Sequence, residues 1–289
     1  MPSNTIPALL LDRAHRKQFR TFVEVWSSPK EDGEQTVFSV SYAELADSMI
    51  TAALWLCDGP SQVRAGDYVA LLAHNSVAYL AFSLGAMSLG AVSVNLNWRQ
   101  SAEITAQLLG GLQPRLLLAS SHFHDQAREA HTSLGIQIAI LESICNTDPG
   151  ALPFAPADAP AAQRIEAGIA ALDASRPAAV FFTGGTTGIP KAVPHSHAGL
   201  CWFAARALAQ CPAPYDEVRV PHAGTVCFTP FFHVMGFVAN FVFNIYAGCR
   251  VALLASPDDK LSPLLVLAAC RALRPSVLNT VPWVVEGLV

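Results

Sequence analysis

The sequence predicts an α/β protein: three-layered, with mainly parallel sheets flanked by helices. Three observations carry the prediction. Short apolar runs such as Tyr68–Ala73, Ala91–Asn95, Arg115–Ala119 and Pro177–Phe182 have the length and purity of strands buried on both faces. Segments with helical spacing stand between them, and strands that alternate with helices in βαβ order run parallel, joined by right-handed crossovers. The chain of 289 residues, 52% hydrophobic and 14% charged, is long enough to bury of the order of three quarters of its unfolded surface.

Taken in order, Pro7–Phe19 reads as a helix, Arg20–Trp26 as a strand and Ser28–Gly33 as a turn. Ser41 and Glu44 form a capping box, and Leu45, Met49, Ala52, Ala53 and Leu56 then recur at helical spacing. Tyr68–Ala73 is the next strand. Asn75 or Ser76 caps a helix that runs to Leu89, Gly90 ends it, and Ala91–Asn95 completes the βαβ unit. The alternation continues with helix Ser101–Leu109, strand Arg115–Ala119, helix Ser121–Leu134 and strand Gln137–Leu141. Pro149, Pro153, Pro156 and Pro160 then break the pattern, so residues 146–175 read as a Pro/Ala-rich linker between sub-regions 1–145 and 176–289. Beyond it come strand Pro177–Phe182, helix Ser196–Gln210, a turn-rich Cys211–Gly224 and strand Thr225–Phe228. A helix then begins after His233 and ends at Gly248. Strand Arg250–Leu254, helix Ser262–Leu273, strand Ser276–Thr280 and a helix from Pro282 close the chain.

Composition narrows the function. A net charge of −4 and a pI near 6.1 supply no broad positive field for nucleic acid, so a polyanion would need a local site. The seven cysteines are scattered without a CxxC pair, which fits reduced, buried thiols and a cytoplasmic protein. His122 with His124, and His195 with His197, lack a cysteine or carboxylate at ligand spacing, so no metal site made of protein side chains is expected. Two uncharged stretches, Tyr68–Trp98 and Val220–Cys249, exceed the ~20 residues of a spanning helix. His74-Asn75-Ser76 interrupts the first, and Thr229-Pro230 with His233 the second, so both read as strand, turn and helix of a buried core.

The chemistry concentrates in Phe182-Thr183-Gly184-Gly185-Thr186-Thr187-Gly188-Ile189-Pro190-Lys191. An uncharged strand ends here in glycines, threonines and one lysine, and a helix-like segment opens after Ser196. Free backbone N–H groups, hydroxyls and a point charge suit a polyanion, phosphate above all. The loop is not a Walker A motif, because Lys191 follows Pro190 and precedes Ala192 where Ser or Thr would bind magnesium. The second informative stretch is Thr229-Pro230-Phe231-Phe232-His233-Val234-Met235-Gly236-Phe237. A histidine among aromatics is, from the residues alone, more often a satisfied core residue than a catalytic one.

The Thr183–Lys191 run closely resembles the phosphate loop of the AMP-forming adenylate-forming superfamily, which includes acyl-CoA synthetases, 4-coumarate-CoA ligases and luciferases. Gly184 stands where that family has serine, and Ala192 where it has glycine. The Tyr-x-Glu-Leu at Tyr42–Leu45, the Gly85–Asn95 run and the aromatic-histidine stretch are also similar to family segments. The resemblance implies ATP, with Mg2+, as substrate: a small, apolar carboxylate attacks its α-phosphate, giving acyl adenylate and pyrophosphate, and CoA takes the acyl group. By it, Thr183, Gly184, Gly185, Thr186, Thr187, Gly188 and Lys191 hold phosphate, with Lys191 catalytic. His233, also catalytic, gates the carboxylate site, lined by Val234, Met235, Gly236 and Phe237. Phe231, Phe232, Phe241 and Phe243 extend an apolar acyl pocket or simply pack the core. The family's adenine, ribose and catalytic-lysine segments lie further downstream than Val289, so the chain reads as the N-terminal half of such an enzyme, its C-terminal half missing. A non-catalytic remnant that binds phosphate or an acyl group, or acts as a partner subunit, is the alternative.

Overall fold

The computed structural model describes residues 4–27, 37–148, 151–184, 188–211, 224–255 and 263–287. The predicted turn at 28–33 and most of the turn-rich 211–224 lie outside the described residues. Two sheets organise the chain. The first has the order β2 (Val37–Ser41), β1 (Thr21–Ser27), β10 (Arg250–Ala255), β9 (Gly224–Cys227), and so joins the two ends of the sequence. The second has the order β6 (Ile138–Ile140), β5 (Leu116–Ala119), β3 (Tyr68–Leu72), β4 (Val92–Asn95), β7 (Pro177–Thr183), β8 (Lys191–Ser196). All pairings are parallel except β1 with β2 and β7 with β8.

Alternation along each strand puts successive side chains on opposite faces, and the sheets use both. Val69 and Leu71 of β3, with Leu116, Leu118 and Phe181, face a cluster that also takes Val23, Val25, Val251 and Leu253 from the other sheet. The helices α1 (Ile6–Lys17), α2 (Tyr42–Asp58) and α3 (Val77–Ser88) also supply that cluster, as do Ile165, Leu200 and Phe241 further along the chain. Ala70, Leu72, Val94, Leu117 and Ala119 point the other way, toward α4 (Ala102–Leu112) and α5 (His124–Leu134). Trp26, Val226, Ala252 and Leu254 face α9 (Pro263–Leu273) and Val284 of α10 (Pro282–Glu286). Each sheet with its two helical faces is thus a three-layer unit, and the two units share a helical layer. Every residue of α3 is buried, as expected of a helix apolar all round.

The uncharged stretch Tyr68–Trp98 resolves into this core as β3, α3 and β4. No described helix is long and apolar enough to cross a membrane. Two elements differ from the sequence reading. Residues 146–175 contain a helix, α6 (Ala159–Ala170), whose N-cap Asp158 accepts from the Ala161 N–H at 2.9 Å. Pro160 sits in its first turn, where the missing N–H costs nothing, so the proline starts a helix. Ile165 and Ile169 are buried on it, and Arg164 makes an exposed, two-pronged pair with Asp58 of α2. Strand β7 then pairs with β4, placing sequence from both sides of 146–175 in one sheet. Residues Ser276–Thr280 form no strand, only one parallel bridge between Val277 and Thr225. Asn279 instead gives its side-chain amide to Ala239 and Asn240.

Candidate functional site

The predicted phosphate loop closes a β-hairpin. Lys191 opens β8 directly opposite Thr183, the last residue of β7, and both side chains are exposed. The sequence reading placed the next helix from Ser196 and assigned no strand to Lys191–His195. A full strand intervenes before α7 (His197–Ala209) begins, with Ser196 as its N-cap, so the helix terminus does not open directly from the loop. Pro194 is admitted because β8 is the edge of its sheet, where a missing N–H is tolerated. Gly185, Thr186 and Thr187 lie outside the described residues. Among the described residues, an added Cβ at Gly184 or Gly188 would meet nothing within 4 Å. Packing therefore does not demand glycine at either position, but Gly188 has φ +93°, which side-chain-bearing residues rarely adopt. Among the described residues no carboxylate lies within ion-pair distance of Lys191.

A buried polar relay fixes β7. The Tyr79 hydroxyl donates to Asn95 Oδ1 at 2.7 Å, and Asn95 Nδ2 donates to the Val180 carbonyl at 3.2 Å. Burial raises the Tyr79 pKa well above the usual phenol value, which keeps its proton available for that bond.

The histidine stretch follows β9 as a turn and then a π-helix, Met235–Val242, continuing into α8 (Phe243–Ala247). The wider π-turn is held by side chains: Asn240 Nδ2 donates to the Met235 carbonyl at 3.0 Å, and Asn244 Nδ2 to Thr225 Oγ1 at 2.8 Å. Such turns occur often at functional sites. The predicted acyl-site residues separate here. His233 and Val234 are exposed and Met235 is half-buried. Gly236 is buried against its own turn, where an added Cβ would come within 2.6 Å of the Thr229 carbonyl oxygen. Phe237 is fully buried and packs on Phe231, Phe241 and Phe181. Core packing therefore takes Phe231, Phe237 and Phe241. The Phe181–Phe237 contact, 5.9 Å between centroids, ties the histidine helix to the strand that carries Thr183.

The His233 ring lies tilted 4.5 Å from the ring of Phe232, which meets Trp98 edge-on at 5.7 Å. Burial first, and the Arg99 charge second, hold the His233 pKa below the ordinary imidazole value, so the ring is neutral at neutral pH and can both donate and accept. Arg99 itself lies 4.8 Å over the Trp98 ring. Sequence reasoning did not select this neighbourhood. His74, Trp98, His122 and Phe123 follow the carboxyl ends of β3, β4 and β5, with His74 4.8 Å from Trp98, 5.3 Å from His122 and 4.9 Å from Phe123. The available signal was position: each stands just beyond a buried parallel strand, the edge at which α/β sheets place their ligands. Among the described residues no group of three or more His, Cys, Asp or Glu is arranged to hold a metal ion. Cys201, Cys227 and Cys249 are buried, and burial pushes the Cys227 thiol up to about 12.

The architecture defines the class first: a mixed α/β protein of two helix-flanked sheets. It matches the N-terminal domain of FACL13 from Mycobacterium tuberculosis with a TM-score of 0.70 at 20% identity, over 98% of this chain and 64% of that one. The family follows from the sequence. A family model for AMP-binding enzymes matches residues 13–289, and the chain belongs to that family. It is 26% identical over 262 residues to FadD26, a long-chain-fatty-acid–AMP ligase of Mycobacterium tuberculosis, spanning 88% of this chain and 41% of the relative. It is 27% identical over 226 residues to 4-coumarate–CoA ligase 2 of Petroselinum crispum, spanning 76% and 39%. The chain thus spans less than half the length of these curated relatives.

Proposed function

We propose that this chain carries the phosphate-gripping and carboxylate-gating part of an adenylate-forming ligase. In that reaction a carboxylate oxygen attacks the α-phosphate of ATP, pyrophosphate leaves, and the acyl adenylate passes its acyl group to a thiol such as CoA. The observation that carries the reading is the hairpin mouth, where Thr183 and Lys191 face each other beside Gly184 and Gly188, which no described residue packs against. Lys191 offsets charge on the leaving pyrophosphate, and the Thr183 hydroxyl donates to it. One such donor commonly changes a rate by about 100-fold or more. Mg2+ arrives with the nucleotide. His233, neutral beside Arg99, orients the entering carboxylate, and Val234 and Met235 offer it apolar contact. The phenylalanines committed to the core contribute only by holding this turn.

Calorimetric titration of the 289-residue chain with Mg·ATP and with pyrophosphate tests the reading. Binding should weaken about tenfold or more in Lys191→Ala, and equal affinity in the two proteins would sink the phosphate grip. The coverage of the relatives favours a second outcome for chemistry. The chain by itself binds but does not complete adenylation, and ATP–pyrophosphate exchange above the Lys191→Ala background would refute that part.

A further inference from the structure

The β3–α3 loop, His74-Asn75-Ser76, contributes a side chain that neither motif accounts for. Asn75 Nδ2 donates to the Thr229 carbonyl at 2.9 Å, and Asn75 Oδ1 accepts from the Phe231 N–H at 2.7 Å, across separations of 154 and 156 residues. Two bonds to two peptide groups of one turn fix its rotation as well as its position. The turn leads straight into His233, whose N–H donates to the Pro230 carbonyl at 3.1 Å and whose carbonyl accepts from Phe237 at 3.0 Å. One helical turn beyond Asn75, Tyr79 rests its ring 5.5 Å from Phe231 and gives its hydroxyl to Asn95, the residue that holds Val180 of β7. The start of α3 therefore references both the histidine turn and the strand that carries Thr183.

We propose that Asn75 is a positioning residue: its side-chain amide clamps the Thr229–Phe231 turn and thereby sets the His233 imidazole relative to the hairpin mouth. The turn belongs by sequence to the four-stranded sheet, since it follows β9, yet the clamp fixes it from the six-stranded sheet. The side chain must donate and accept at once, in a fixed short geometry. Aspartate keeps the bond to Phe231 and loses the bond to Thr229, and alanine loses both. The catalytic consequence rests on the reading of His233 as a carboxylate-site residue; the geometry does not.

The test records the His233 imidazole Hε1 proton by NMR on the 289-residue protein at about pH 8, with the resonance assigned through His233→Gln. In the wild type the Phe232 ring, 4.5 Å away, displaces it from the free-imidazole position. Asn75→Ala should return it most of the way to that position, and Asn75→Asp part of the way. Ser76→Ala is the control. It removes the bond from the Tyr79 N–H to Ser76 Oγ, 3.1 Å, and so weakens the same helix end without touching the turn. The control should melt lower with its His233 resonance unmoved. A wild-type His233 resonance in Asn75→Ala, or an equal displacement in Ser76→Ala, overturns the proposal. Should Asn75→Ala fail to fold, an unmoved resonance in Asn75→Asp does the same. Because the readout is the ring environment and not turnover, a chain without ATP-dependent activity leaves the test intact. A displaced His233 with unchanged carboxylate affinity would remove the functional reading and leave the clamp standing.

Discussion

His197, the first residue of α7, makes the protein acid-sensitive in a window that its burial defines. Its side chain is 1% exposed, and its Nδ1 accepts from the Ile6 N–H at 3.4 Å, tying α1 to the helix that follows the hairpin. Protonation would remove that acceptor and place a charge in apolar surroundings at the positive end of a helix. Burial accordingly lowers its pKa from 6.5 to about 4. The unfolded chain therefore binds more protons than the folded one between those values, so stability is full above pH 6.5 and falls as pH drops toward 4. The linkage relation makes the loss roughly 2 kcal/mol at pH 5 and about 3 kcal/mol once both states are protonated. Urea unfolding of the wild type and His197→Gln at intervals from pH 4.5 to 7.5 measures it. Glutamine keeps an acceptor but does not titrate, so the wild-type curve should fall away from the variant's on the acid side. Parallel curves through the whole range would refute the argument, because other titrating groups are common to both proteins.

Three further outcomes follow from the site. Gly236→Ala pushes a methyl group into the Thr229–Pro230 carbonyls and should cost about 1–3 kcal/mol in urea unfolding; an unchanged midpoint would mean the turn relaxes freely. Gly188→Val meets open space but not its +93° φ, so pyrophosphate affinity should drop while the far-ultraviolet spectrum stays native, and undiminished affinity would show that the hairpin mouth does not need that backbone. His233→Ala removes an exposed ring; its melting temperature should stay within a degree or two of wild type, whereas a fall of many degrees would make the ring structural.

The sequence by itself determined which segments are strands and helices wherever a run was apolar enough or carried its own cap. The Ser41–Glu44 capping box forms as its spacing requires, with the Ser41 N–H donating to Glu44 at 2.7 Å. Gly248 ends α8 in the left-handed conformation. The glycine-rich stretch stood out in the sequence for the same reason, because its distinctive residues are consecutive. Where a signal had two local meanings, only tertiary contacts chose between them. Pro160 could break a helix or begin one, and burial of Ile165 and Ile169 decided for a beginning. Lys191–Ser196 became a strand because β7 presented an open edge to pair with. Phe237 could have lined a pocket, but Phe181 and Phe231 close around it. The gathering of His74, Trp98, Arg99 and His122 near Phe232 and His233, and the grip of Asn75 on a turn 154 residues away, depend on strand order. Strand order is set by which apolar faces fit together across the whole chain, and no local stretch of sequence encodes it.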